Sequence, residues 1–264
     1  MNMNNLLTRA VSKYRRTAAK YLFRRMVQVE ITTPIIYLSF DDAPHTAFTH
    51  GGKILNTYGA NATFYMSLGI LESDSPSGPI ASLDDLRRAV KDGHELGCHT
   101  FDHLNPRETK PDLFVQSVLK NHQTLSQILP EAAFTSLAYP LCCPSPAIKR
   151  RIGKQFLCCR GGEHTSNVGT ADLNYLNAVF FDARNAHTID TVKQLIDKNA
   201  ESLGWLIFAT HDVDDNPSPY GCSKKFFEEA VAHAANSGSL LLPVGKACEQ
   251  IQMTGNEIKS APQS

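Results

Sequence analysis

Two carboxylates and three imidazoles stand where short apolar runs of this chain end. Ile35-Ile36-Tyr37-Leu38-Ser39-Phe40 runs into Asp41-Asp42, and Glu95-Leu96-Gly97-Cys98 runs into His99. Leu206-Ile207-Phe208-Ala209-Thr210 runs into His211-Asp212, and Leu137-Ala138 ends at Tyr139-Pro140. His103 follows His99 at a four-residue spacing, so both rings can face one way and chelate one ion. Taken singly these pieces stay open. An Asp pair after a strand also reads as a helix N-cap with a first-turn acid, and two such histidines also read as surface residues. Together, two imidazoles and a carboxylate make a three-ligand site with open positions, which hydrolytic metals require.

Something must bring these strand ends together. Period-2 and continuous apolar runs predict strands at 35–40, 62–67, 94–99, 134–139, 155–159, 177–181, 205–210 and 239–243. Amphipathic segments between them predict helices at 83–91, 112–129, 188–203 and 224–235. Strands alternating with helices imply right-handed crossovers and a parallel sheet, and this many units point to a barrel. In such a barrel the C-terminal strand ends converge on one face, which gathers the acids, the histidines and the Tyr-Pro turn at one mouth. Two loops rich in turn formers, 69–83 and 212–222, either cover that mouth or are plain surface connections.

At 264 residues, 42% hydrophobic and 20% charged, the chain fits one large globular domain. Lys plus Arg equals Asp plus Glu at 26 each, so no nucleic-acid partner is expected. No apolar run is long enough to span a bilayer. The seven cysteines are an odd number and include two adjacent pairs, unlike a disulfide scaffold. They read as reduced, buried thiols, and the chain as cytoplasmic.

Residues 1–30 form the one region of charge asymmetry, with seven basic residues from Arg9 to Arg25. Leu7, Val11, Tyr14, Ala18, Tyr21 and Leu22 recur at helical spacing, predicting a basic amphipathic helix. No compact apolar core with a small-residue cleavage site accompanies it, so a secretory signal is not expected. The helix either packs on the barrel or lies on an anionic membrane, placing the protein peripherally on the inner face. A domain at 31–255 and a polar tail at 256–264 follow.

The motifs resemble those of the polysaccharide deacetylases, the NodB homology domain of carbohydrate esterase family four. Ser39-Phe40-Asp41-Asp42 looks like the first motif of that family, and His99-Thr100-Phe101-Asp102-His103 like its second. Tyr139-Pro140 resembles the third and Thr210-His211 the fifth, in family order. The resemblance implies a distorted (β/α) barrel of seven to eight parallel strands and a hydrolase that deacetylates an N-acetylated sugar. By the same resemblance Asp42, His99 and His103 bind a divalent metal, usually zinc. Asp41 is then the base towards water, His211 the acid towards the leaving amine, and the Tyr139 N–H at the Tyr139-Pro140 turn the oxyanion donor. No obligate protein partner is implied.

The chain departs from the pattern in places. Leu137 occupies the position matched to a third-motif Arg that pairs with the base, leaving Arg160 or Arg184 as substitutes. Leu141-Cys142-Cys143 replaces a Gly-containing turn. Trp205 is the sole Trp, so a fourth motif is not recognisable, and Asp172 or Asp182 is left to orient His211. These departures raise two alternatives: a non-catalytic carbohydrate-binding relative, or a deformylase or amidase acting on another small or lipid-linked amide.

Overall fold

A computed structural model describes residues 17–251. Its strands are β1 (Met26–Val29), β2 (Ile35–Phe40), β3 (Ala62–Met66), β4 (Asp74–Ser75), β5 (Gly78–Pro79) and β6 (Glu95–Cys98). They continue with β7 (Ser136–Ala138), β8 (Cys158–Arg160), β9 (Gly169–Asp172), β10 (Val179–Phe180), β11 (Trp205–Thr210) and β12 (Leu240–Leu241). The main sheet runs β10-β11-β2-β3-β6-β7-β8 with parallel ladders, and β12 pairs with the first half of β2. This is the expected barrel, curled and distorted. No ladder joins β8 to β10. β8 instead bonds the 173–176 stretch ahead of β10, from the Cys159 N–H to the Leu173 carbonyl (2.7 Å) and from the Leu176 N–H to the Cys159 carbonyl (2.9 Å).

β2 and β11 are buried at every residue because both faces of the sheet are covered. Alternate residues divide between two layers. Ile36, Leu38 and Phe40 pack outward with Leu137 and Cys159 against the helices. Ile35 and Tyr37 point inward with Tyr65, Ala138, Cys158 and Ile207. Val244, Ala247, Cys248 and Ile251 close the inner cluster from the stretch 244–251, which is helical.

The helices fall where the amphipathic periods place them, at Leu83–Lys91, Pro111–Ile128, Ile189–Glu201 and Lys224–Asn236. Ser82 and Asp85 form a reciprocal capping box on the first of these. Helix Pro146–Ile152 was not anticipated, although Ser145 caps it and Pro146 opens it, a usable start signal. It and the turn after it delay β8, which begins at Cys158 and not at the expected 155.

The expected helix over 1–30 needs correction at its end. Residues 17–21 are helical, but Met26–Val29 is strand β1, antiparallel to β9. Leu7, Val11 and Tyr14, like the tail 256–264, lie outside the described residues. Ala18 is buried, whereas Tyr21 and Leu22 are exposed. The segment is held by Lys149, whose Nζ donates to the Ala19 carbonyl (2.6 Å) and to Asp172 (2.6 Å). Arg25 adds side-chain bonds to the carbonyls of Phe156 (2.9 Å) and Leu157 (2.6 Å).

Candidate active site

Strand register delivers the chemistry to one mouth. Phe40 pairs with Thr210, and the Asp41 N–H donates to the Thr210 carbonyl (2.8 Å), so Asp41 and His211 leave adjacent strands side by side. The His99 N–H donates to the Met66 carbonyl (2.9 Å), continuing the β3–β6 ladder. Ala138 pairs with Arg160, which sets the ends of β7 and β8 level.

Asp42, His99 and His103 bring one ligand atom each to within 4.8 Å of one another. Asp42 Oδ1 lies 3.2 Å from His103 Nε2 and 3.7 Å from His99 Nε2, yet it is buried and accepts no hydrogen bond. A buried carboxylate oxygen without a donor, facing two imidazole nitrogens, is what a cation would satisfy. His99 Nδ1 faces the Ala138 carbonyl at 2.8 Å, which fixes the ring and leaves Nε2 for a metal. Burial drops the His99 pKa to about 4, so the ring is the neutral ligand form at neutral pH.

The backbone bends to achieve this. Asp42 (φ 55°), Thr100 (φ 62°) and His103 (φ 50°) all take left-handed conformations that cost non-glycine residues energy and often mark functional sites. Ser117 supports the 99–103 turn, its Oγ accepting from the N–H groups of Phe101 (3.0 Å) and Asp102 (3.2 Å) and donating to Asp102 (3.0 Å).

Asp41 is buried beside Arg160, which donates to its Oδ1. Burial pushes the carboxyl up, but the charge and hydrogen bond of Arg160, together with the nearby His99 and His211, outweigh it and hold the pKa below the usual value. Leu137 faces the outer layer and could not reach the base; Arg160 on the inner face supplies the missing guanidinium from the next strand. Arg184 instead donates to Asp182 (2.6 Å).

Neither Asp172 nor Asp182 orients His211. Asp172 accepts from Lys149, and Asp182 from Arg184 and Asn185. The partner of His211 Nδ1 is the Tyr220 carbonyl at 3.2 Å. Asp212 shapes that loop by accepting from the Ser218 N–H (2.7 Å) and hydroxyl (2.5 Å). A backbone carbonyl has no side-chain signature, which is why sequence reading missed it.

The Tyr139 assignment also needs correction. Its N–H donates to the Arg160 carbonyl at 3.0 Å, and its ring is buried in the outer layer. Pro140 has no N–H, and the Cys142 N–H donates to the Tyr139 carbonyl (2.9 Å). Leu141, in a left-handed conformation (φ 56°), is the member of this turn left to face a substrate oxygen.

These groups share a cavity of about 620 Å³ lined by Asp41, Asp42, His99, His103 and His211. Ser73–Ser77, carrying β4, and Tyr220 also line it, so both turn-rich loops do reach the mouth. A carboxylate base beside a metal cup, with an imidazole opposite, suits hydrolysis of an amide.

The fold and this cup define an α/β barrel with a metal-ready mouth, and comparison with known proteins agrees. Residues 28–155 match the family model described as polysaccharide deacetylase. A chitooligosaccharide deacetylase of Azorhizobium caulinodans is 39% identical over 71 residues, covering 26% of this chain and 30% of the relative. A chitin disaccharide deacetylase of Vibrio alginolyticus is 33% identical over 73 residues, covering 28% and 17%. The chain thus spans less than a third of either relative's length. Peptidoglycan deacetylase PdaC from Bacillus subtilis shares the fold at TM-score 0.58 and 15% identity, covering 86% of this chain and 95% of that one. The chitin deacetylase of Colletotrichum lindemuthianum does so at TM-score 0.57 and 16% identity, covering 84% and 89%.

Proposed function

We propose that the protein is a metal-dependent hydrolase that removes the acetyl group from an N-acetylated amino sugar in an oligosaccharide, polysaccharide or glycan precursor. The observation that carries this reading is the orphaned Asp42 oxygen facing His99 and His103, with Asp41 beside it and His211 in the same cavity. Two imidazoles and a carboxylate suit zinc, which supplies Lewis acidity and an acidified water when bound.

The chain's own groups do the rest. Asp41, kept ionised by Arg160, accepts the proton of the attacking water. His211, steered by the Tyr220 carbonyl, presents Nε2 to protonate the departing amine. The Leu141 amide faces the developing oxyanion. Arg160 answers one of the two departures behind a non-catalytic reading, because it gives the base its guanidinium.

The setting is part of the same proposal. Tyr21, Leu22, Phe23 and Met26 are exposed beside Lys20, Arg24 and Arg25, which suits contact with an anionic membrane. All seven thiols are free, which supports a reducing, cytoplasmic location. Flotation with anionic vesicles tests the contact, and equal flotation of full-length protein and protein lacking residues 1–28 sinks it. Acetate release from N-acetylglucosamine oligomers by zinc-loaded protein tests the activity. Release of formate from an N-formyl sugar, without acetate, would favour the deformylase instead.

A further inference from the structure

We propose that a second chamber beside the active-site cavity binds an oxyanion, phosphoryl or carboxylate, carried by the acetylated sugar. The inference rests on the deacetylase reading for the identity of the carrier, but its geometry is separate. A cavity of about 510 Å³ adjoins the catalytic one and shares Arg107, Leu141, Cys142, Phe180 and Arg184 with it. A substrate can therefore lie across both.

The chamber is basic within a chain of zero net charge. Its lining holds Lys20, Arg107 and Arg184 against one carboxylate, Glu163. That carboxylate is already engaged: Lys20 pairs with one oxygen and the Tyr175 hydroxyl donates to the other (3.2 Å). Arg184, which shares the Asp182 carboxylate with Asn185, faces the chamber with His164 beside it.

Arg184 is held as a binding group would be. One of its nitrogens donates to Asp182, whose carboxylate is itself fixed by the Asn185 N–H (3.0 Å) and side-chain amide (2.7 Å). Its guanidinium lies 4.3 Å from the centre of the Tyr220 ring. With one edge tied and one face stacked, the half-exposed guanidinium keeps further N–H donors in a fixed plane. Tyr220 also steers His211 through its carbonyl, so one residue supports both the acid and the anion contact.

Binding separates this idea from catalysis. Zinc-loaded Asp41→Asn protein is titrated calorimetrically with N-acetylglucosamine, its 6-phosphate and N-acetylmuramic acid. We expect at least one charged sugar to bind tenfold or more tightly than the neutral one, and the favoured sugar identifies the oxyanion. Arg184→Gln on the same background should cut that preference at least fivefold, and Arg184→Lys, which keeps the charge but loses the fork, by less. Equal affinities, no binding of either charged sugar, or a preference that survives Arg184→Gln would overturn the subsite. The background protein alone can give the first two results, so misfolding of a variant does not rescue the idea. Preferential binding without acetate release by the wild type would refute the deacetylase and leave the subsite standing. Acetate release without preference would do the reverse.

Discussion

Arg160 at the end of β8 holds the carboxylate of Asp41 at the end of β2 inside the barrel, both side chains shielded from solvent. Its guanidinium carbon also sits 5.2 Å from the Tyr65 ring and 5.3 Å from that of Phe180, and one nitrogen donates to the Gly161 carbonyl (2.9 Å). The pair therefore tunes the base and ties distant strands together.

Arg160→Met leaves a buried carboxylate without its cation, which costs about 3–5 kcal/mol. Chemical denaturation should show that loss. With its pKa depressed, Asp41 contributes stability above the unfolded carboxyl value of about 3.9, and that contribution fades as pH falls through the lower folded value. In the variant, burial dominates and the carboxyl pKa rises. The acid limb of kcat/KM against pH should therefore move upward.

Metal binding should stabilise the fold by mass action. Zinc at a hundredfold excess over its Kd adds about 2.7 kcal/mol, roughly 5–10 °C in Tm for a chain of this size. Calorimetry should show this rise in the wild type and lose most of it in His99→Ala, His103→Ala and Asp42→Ala.

His211→Ala should lower kcat by about 10²–10⁴ while bound zinc stays stoichiometric, since the ring is not among the metal-facing donors. Metal analysis beside acetate release reads both halves. Loss of zinc in this variant would reassign His211 to the metal.

Much of this was legible beforehand because apolar runs and polar strand ends are local signals. β2 and β11 appear at their expected residues, and the metal cup forms from the expected three side chains. What escaped depends on strand register. Whether Leu137 or Arg160 faces Asp41 is decided by which side of the sheet each occupies, and a single residue reverses it. The Tyr139 N–H was lost to a ladder bond, and His211 found a main-chain carbonyl, neither of which residue types reveal.

Lys149 makes a further prediction for the amino-terminal segment. Its buried ammonium joins Ala19 to Asp172, so Lys149→Ala strips Asp172 Oδ2 of its cation and releases the Ala19 carbonyl. Limited proteolysis should cut near residues 19–25 faster than in the wild type, with a stability loss of about 3 kcal/mol.

The central claim is that Asp42 holds the metal and its neighbour Asp41 does the proton chemistry. Acetate release and bound zinc, measured together on Asp41→Asn and Asp42→Ala, test it most directly. The account predicts that Asp41→Asn keeps its zinc and loses turnover by at least a hundredfold, while Asp42→Ala loses both. Full turnover in Asp41→Asn, or stoichiometric zinc in an active Asp42→Ala, would contradict it.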